Sequence, residues 1–310
     1  MKIDIHNFKR RLSCVEAALQ LANIPRVDKD LIYNYENQMF ADGLGIARVT
    51  KYMQALKGLY NRGLCSIPDA RHVDIVSVLA SIEREDLSAW TKHDYRLALR
   101  KYLEYVGKKE LAAMIKLPKA GSHKLPEELL TQEDIGLLMH YANDAMMLAL
   151  IISLYESGCR VGELFGLRRK HVQHDQIGAV LIVEGKTGMR RVRVIEAAPY
   201  LDVWISEGSF RQDEQIFPIS YAAFRKRLQV LGFRAGIGKR IYPHLFRHSR
   251  ATFLASYLTE AQLCAYHGWT IGSSMPRIYV HLNSRDLDAS LMNVPAVLPV
   301  ARKHSPILTT

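Results

Sequence analysis

Two short β-branched runs, Val180 to Val183 and Val192 to Ile195, flank the tetrapeptide Gly185-Lys186-Thr187-Gly188. Such runs around a glycine-bounded turn read as a β-hairpin. They are the one clear strand signal in a chain whose other apolar residues recur at helical spacing. The expected fold is therefore mainly α with a small antiparallel β-sheet. Arg191 and Arg193 alternate with Val192 and Val194, so one face of the second strand is basic.

Residues 1–118 read as helices. From His6 to Ala22 the apolar positions Phe8, Leu12, Val15 and Leu19 form a stripe, which Pro25 ends. A second pattern follows Asp28 and stops at Asp42-Gly43. A third, Ile46 to Tyr60, carries Val49, Met53, Leu56 and Tyr60 and stops at Gly63. Thr91 is the expected N-cap of a fourth, with Tyr95, Leu99, Tyr102 and Val106 on one stripe. Leu117 to Pro126, with two prolines and a glycine, has linker composition. The domains expected are a helical domain (1–118), a linker (119–127), a mixed α/β domain (128–294) and a tail (295–310). In the mixed domain Thr131 caps a helix from Gln132 to Ala142. The apolar run Ala145 to Tyr155 is a buried helix stopped by Gly158. Helices return from Tyr221. Thr259 and Gln262 form a capping box, Gly268 ends that short helix, and Pro276 sits in the first turn of the helix that carries Tyr279. Pro295, Pro299 and Pro306 argue against a long helix in the tail.

Formal net charge is +11, from 42 Lys+Arg against 31 Asp+Glu. Residues 1–120 hold 20 against 14 and the rest 22 against 17, so the excess is spread over both halves. Two basic halves suit a protein that grips a polyanion from both sides, and Lys51, Lys92, Arg96 and Arg191 are the candidate DNA-binding residues. The longest apolar run falls short of the roughly 20 residues a membrane span needs. No signal peptide is legible, and a cytoplasmic location is expected. Cys14, Cys65, Cys159 and Cys264 form no Cys-x-x-Cys pair, which argues against a zinc ribbon or a disulfide framework.

Three stretches carry chemistry: Gly158-Cys-Arg160-Val-Gly-Glu163, Pro243-His244-Leu-Phe-Arg247-His248, and His267-Gly268-Trp269 followed ten positions later by Tyr279. Cleaving a phosphodiester builds negative charge on two non-bridging oxygens. A guanidinium gives parallel hydrogen bonds to such oxygens and stays charged at physiological pH. Arg160 and Arg247 are suited to bracket one phosphate, as an oxyanion hole does. Glu163, three residues from Arg160, shares its helix face and supports it. His244 stands three residues from Arg247, where a histidine can handle a nucleophile's proton. His244 and His248 at i, i+4 raise the question of a metal, but no nearby carboxylate or cysteine pattern completes a ligand set, so no metal is expected.

In order and spacing these motifs resemble the tyrosine recombinase, or phage integrase, family over about Leu125 to Leu291. The family pattern is Gly-x-Arg-x-x-Glu, a hairpin lysine, His-x-x-Arg, Gly-His or Gly-Trp, and a nucleophilic tyrosine. It falls on Arg160, Lys186, His244, Arg247, Trp269 and Tyr279. The stretch from Gly268 to Leu282 further resembles archaeal virus and plasmid integrases. Two departures stand out. Trp269 replaces the commoner histidine and cannot carry a proton, so His267 remains a rival for that role. The step from Trp269 to Tyr279 is one residue longer than usual. Tyr266 is the second tyrosine in view, but it precedes the Gly-Trp pair.

The resemblance implies a site-specific recombinase acting on double-stranded DNA at attachment sites, as a homotetramer on two synapsed sites and without a cofactor. Tyr279 attacks the phosphate and forms a 3′-phosphotyrosyl link. Arg160 and Arg247 stabilise the transition state, Lys186 protonates the leaving 5′ oxygen, His244 assists at Tyr279, and Trp269 supports the phosphate. Integration or excision of a mobile element is the expected role. The alternatives are a chromosome-dimer-resolving recombinase, a type IB topoisomerase and a non-catalytic DNA-binding relative.

Overall fold

The computed structural model describes residues 4–118, 128–185 and 187–282, the last three of these in backbone only. The expected linker, Lys186 and the tail lie outside the described residues. The chain divides into two units, His6–Ser122 and the remainder, with Ile5 packed on the core of the latter.

The first unit is helical: α1 (Phe8–Leu21), α2 (Arg26–Ala41), α3 (Ile46–Tyr60), α4 (His72–Arg84), α5 (Ala89–Tyr105) and α6 (Lys109–Ala113). Helix α3 is its centre. It buries Val49, Met53, Leu56 and Leu59 completely and touches α1, α2 and α5. Helix α1 adds Leu12, Val15 and Leu19 from one face. Two boundaries differ from expectation. Helix α2 starts at Arg26, because Pro25 already holds the φ of −53° that the entry needs. Its Asp28 does not open the helix. The side chain is fully buried, and its carboxylate accepts the Ile67 backbone N–H at 2.8 Å. Helix α5 is capped by Ser88, whose Oγ accepts the N–H of Thr91 at 3.1 Å, so Thr91 is a first-turn residue.

The second unit contains α7 (Gln132–His140), α8 (Ala145–Ser157), α9 (Val161–Phe165), β1 (Val172–Asp175), β2 (Gly178–Gly185), β3 (Gly188–Val194), α10 (Ala198–Gly208), α11 (Tyr221–Arg234), α12 (Pro243–Leu254), α13 (Glu260–His267) and α14 (Met275–Leu282). Helix α8 is almost wholly apolar because it is wrapped by α7, α10, α12 and β3. It ends at Gly158 with φ +56°, and Thr131 caps α7 as expected. The strands form an antiparallel sheet in the order β1-β2-β3, with Gly185 opposite Gly188 and Val183 opposite Arg190. Strand β1 and helix α10 are additions to the expected elements. The pleat sends Arg190, Val192 and Val194 to the inner face and leaves Arg191 exposed. A small separate core of Ala251, Leu263, Cys264, Trp269 and Tyr279 fastens α14 to α12 and α13.

Candidate active site

The site begins where α8 stops. A non-glycine residue at position 158 would be strained at that positive φ, and its Cβ would stand 2.5 Å from Cε1 of His267. The turn delivers Arg160 to the N-terminal edge of α9, as the residue before the helix and not on its face. Glu163 then lies in the first turn. Its carboxylate accepts the Arg160 backbone N–H at 2.8 Å and the Arg160 guanidinium at 2.9 Å. Arg190, from the inner face of β3, donates to both oxygens of the same carboxylate, at 3.0 and 2.8 Å. Burial works to raise the Glu163 pKa. The hydrogen bonds and charges of Arg190, with those of Arg160, outweigh it and hold the group below the ordinary carboxylate value.

Helix α12 supplies the next part. Arg247 is 2% exposed and donates to the carbonyls of Gly158 at 2.8 Å and His267 at 2.7 Å. Each terminal nitrogen keeps a second N–H. Burial, then the nearby Arg160 charge, lowers its pKa to about 10, which still leaves it cationic at neutral pH. The two arginines are thus near neighbours although 87 residues apart in sequence. His244 is exposed, yet desolvation and then the charges of Arg247 and Arg160 lower its pKa.

Tyr279 closes the arrangement from α14 and is 1% exposed. Its ring lies flat on Trp269, with centroids 5.3 Å apart and planes 7° apart, and His267 stacks on Trp269 at 4.7 Å. The Arg247 guanidinium carbon sits 5.3 Å from the Trp269 ring centroid. Burial raises the Tyr279 pKa, opposed in part by the charges of Arg247 and Arg160. The phenol oxygen is 2.8 Å from Nδ1 of His248. His244 packs edge-on against His248, with ring centroids 4.7 Å apart, one ring removed from the phenol.

Arg160, Glu163, His244, Arg247, Trp269 and Tyr279 therefore gather in one place. Gly185, at the end of β2, and Thr187, just ahead of β3, reach the same place. Gly185 lies against Glu163, and the Thr187 hydroxyl donates to the Gly268 carbonyl at 3.2 Å. His267 is fully buried behind Trp269, and its pKa is pushed down to about 2, first by burial and then by Arg247. The Tyr266 hydroxyl donates to the Glu156 carbonyl at 2.9 Å. Among the described residues no group of three or more His, Cys, Asp or Glu is placed to hold a metal.

Two residues of the site take parts that the sequence does not assign to them. Arg190 was legible in principle, since period-two counting puts it on the face of Val192 and Val194. His248 drew notice only beside His244 as a possible metal ligand. Of the candidate DNA contacts, Lys51 is paired with Asp94 at 2.7 Å, Lys92 donates to the Glu83 carbonyl at 2.8 Å, and Arg96 binds the Glu83 carboxylate at 2.8 Å. The helical unit also holds a cleft of about 560 Å³ whose lining includes Arg10, Arg11, Lys57 and Arg62. No helix among the described residues is long and apolar enough to cross a membrane.

Two arginines, a tryptophan and a phenol on this helical scaffold define the catalytic domain of a tyrosine-type DNA recombinase. A family profile described as the Phage integrase family matches residues 128–285, and the chain belongs to that family. It is a site-specific DNA recombinase. It is similar to Tyrosine recombinase XerC of Haemophilus influenzae, 30% identical over 211 residues, or 61% of this chain and 70% of that one. The XerC of Actinobacillus pleuropneumoniae is 26% identical over 251 residues, or 74% and 80%. That of Xanthomonas axonopodis is 30% identical over 193 residues, and the match spans 62% of its length and 57% of this chain. The fold is that of a lambda integrase dimer bound to a COC′ core site, with TM-score 0.67 and 16% identity over 83% of this chain and 77% of that one. It is equally that of XerH site-specific recombinase bound to palindromic difH substrate, with TM-score 0.64 and 18% identity over 94% and 97%.

Proposed function

We propose that Tyr279 is the nucleophile and that Arg160 and Arg247 bind the scissile phosphate during cleavage. The observation that carries this reading is the position of the Tyr279 phenol, stacked on Trp269 beside Arg247 and within the field of both guanidinium groups. Attack by the phenol oxygen forms the phosphorus–tyrosine bond and breaks the bond to the 5′ oxygen of the next nucleotide. The guanidinium groups stabilise the charge that accumulates on the non-bridging oxygens. Glu163 positions Arg160 through its side chain and its backbone N–H. Trp269 supports the phosphate by packing and through its indole N–H. Lys186 supplies the proton that the departing 5′ oxygen takes. The 5′-hydroxyl of a partner strand then attacks the phosphotyrosine and reseals the backbone. The covalent link keeps the phosphodiester energy, so the exchange runs without ATP, metal or cofactor.

The same reading makes the protein a mobile-element integrase that works in the cytoplasm as a homotetramer on attachment-site DNA. The ground for that role is the reading of Gly268 to Leu282 as resembling archaeal virus and plasmid integrases. Chromosome-dimer resolution is the competing role, and the DNA flanking the gene separates the two. A nicked suicide substrate built from that DNA is the test. The wild-type chain should form a covalent adduct that Tyr279→Phe abolishes. An adduct that survives the substitution, or none with the wild-type chain, defeats the assignment.

A further inference from the structure

We infer that His248 is a catalytic residue of the strand exchange, the group that takes the proton of the Tyr279 phenol as its oxygen attacks phosphorus and returns it when the link is broken. This rests on Tyr279 being the nucleophile.

The phenol's surroundings leave few other candidates. Trp269 covers one ring face, and its indole offers no acceptor for a proton. Arg247 and Arg160 face the phenol as cations, and a guanidinium accepts no hydrogen bond. His244 meets the phenol's neighbour edge-on. Nδ1 of His248 is 2.8 Å from the oxygen itself, the distance general-base chemistry asks for. With the phenol neutral, its O–H donates to Nδ1, which fixes the imidazole as the Nε2–H tautomer. Burial favours the neutral phenol, so a nucleophile in this place needs a nearby acceptor.

The arrangement follows from local geometry. His244, Arg247 and His248 lie at i, i+3 and i+4 of α12 and share a face. That face presents a phosphate ligand and a base side by side. Helix α14, fastened through Tyr279 and Trp269 in the small core, sets the phenol above them. In cleavage the O–H bond of Tyr279 breaks, its proton passes to Nδ1, and the oxygen's electron pair forms the bond to phosphorus. The bond from phosphorus to the 5′ oxygen breaks, and that oxygen takes the proton assigned above to Lys186. In rejoining, a 5′-hydroxyl returns a proton to that lysine as its oxygen bonds to phosphorus, the phosphorus–tyrosine bond breaks, and His248 gives the phenol its proton back. The imidazole ends each cycle as it began.

The test uses the full chain and a nicked suicide substrate on which the wild-type adduct has been demonstrated, so failure of the Tyr279 assignment is seen first. His248→Ala should slow adduct formation by roughly 10²-fold or more. His248→Asn, which keeps a hydrogen-bond acceptor near the phenol but takes no proton, should stay slow. Replacing Tyr279 with 2,3,5-trifluorotyrosine, a more acidic phenol, should restore most of the lost rate in both variants and change the wild-type rate little. A substrate with sulfur in place of the bridging 5′ oxygen, which leaves without a proton, should not rescue them. Wild-type rates in His248→Ala, full recovery with asparagine, or no rescue by the fluorinated phenol in a variant that melts and binds DNA normally would each overturn the inference.

Discussion

Arg190 grips Glu163 with both terminal nitrogens, 3.0 and 2.8 Å from the two carboxylate oxygens, while its Nε donates to the Tyr266 carbonyl at 3.0 Å. One inward side chain on β3 thus ties the Arg160 segment to the last turn of α13, just ahead of Trp269. The carboxylate is 4% exposed and the guanidinium 11%, so removing Arg190 leaves a buried carboxylate with Arg160 as its remaining cationic partner. Arg190→Ala should cost about 1.5–3 kcal/mol of unfolding free energy, read by denaturant titration. Arg190→Lys keeps the charge but loses the fork, and should slow adduct formation while recovering only part of that stability.

Gly185 faces the same carboxylate. A Cβ there would lie 2.5 Å from Oε1 of Glu163 and 3.0 Å from the Arg190 guanidinium. Gly185→Ala should cost on the order of 1–3 kcal/mol and reduce cleavage, because Glu163 must give way and Arg160 with it. Gly188→Ala meets no atom within 4 Å but has φ +108°. It should destabilise through strain alone and leave the Glu163 contacts in place. Paired melting curves and adduct time courses separate the two variants.

His267 gives the protein a defined acid sensitivity. Its folded pKa of about 2 lies far below the ordinary value of about 6.5. Below about pH 6.5 the unfolded chain takes up a proton that the folded one refuses, so stability falls as pH falls through that window toward the folded value. The slope is on the order of 1 kcal/mol per pH unit for this one group. His267→Gln should lose that share of the slope. Unfolding free energies of both proteins at pH 7, 6 and 5 check it, and parallel curves would contradict it.

Arg96 and Arg191 should behave differently on DNA. Arg96 is bonded to Glu83 and to the Lys116 carbonyl, whereas Arg191 is exposed on β3. Arg191→Ala should weaken binding with little change in Tm and lower the slope of log affinity against log salt by about 1. Arg96→Ala should lower Tm with a smaller effect on that slope. Filter binding across a salt series, with calorimetry, distinguishes them.

The hairpin was legible because its β-branched runs have no helical reading, and α3 because its apolar stripe ends cleanly before Gly63. Strand β1 was not legible. Val172-Gln-His-Asp buries only its valine and becomes a strand by pairing with β2. Helix α4 carries Ile75, Val78, Leu79 and Ile82 at helical spacing, a signal that was there to be read. The gathering of Arg160, Arg247, Trp269 and Tyr279 followed from motif order. The contact of His248 with Tyr279 did not, because it depends on how α14 seats against α12, and no local pattern encodes that.

The stack of His267, Trp269 and Tyr279 also places an indole directly against the proposed nucleophile. Any departure of the phenol from this seat changes the surroundings of Trp269, so this indole, one of three in the chain, is a built-in optical gauge of that departure.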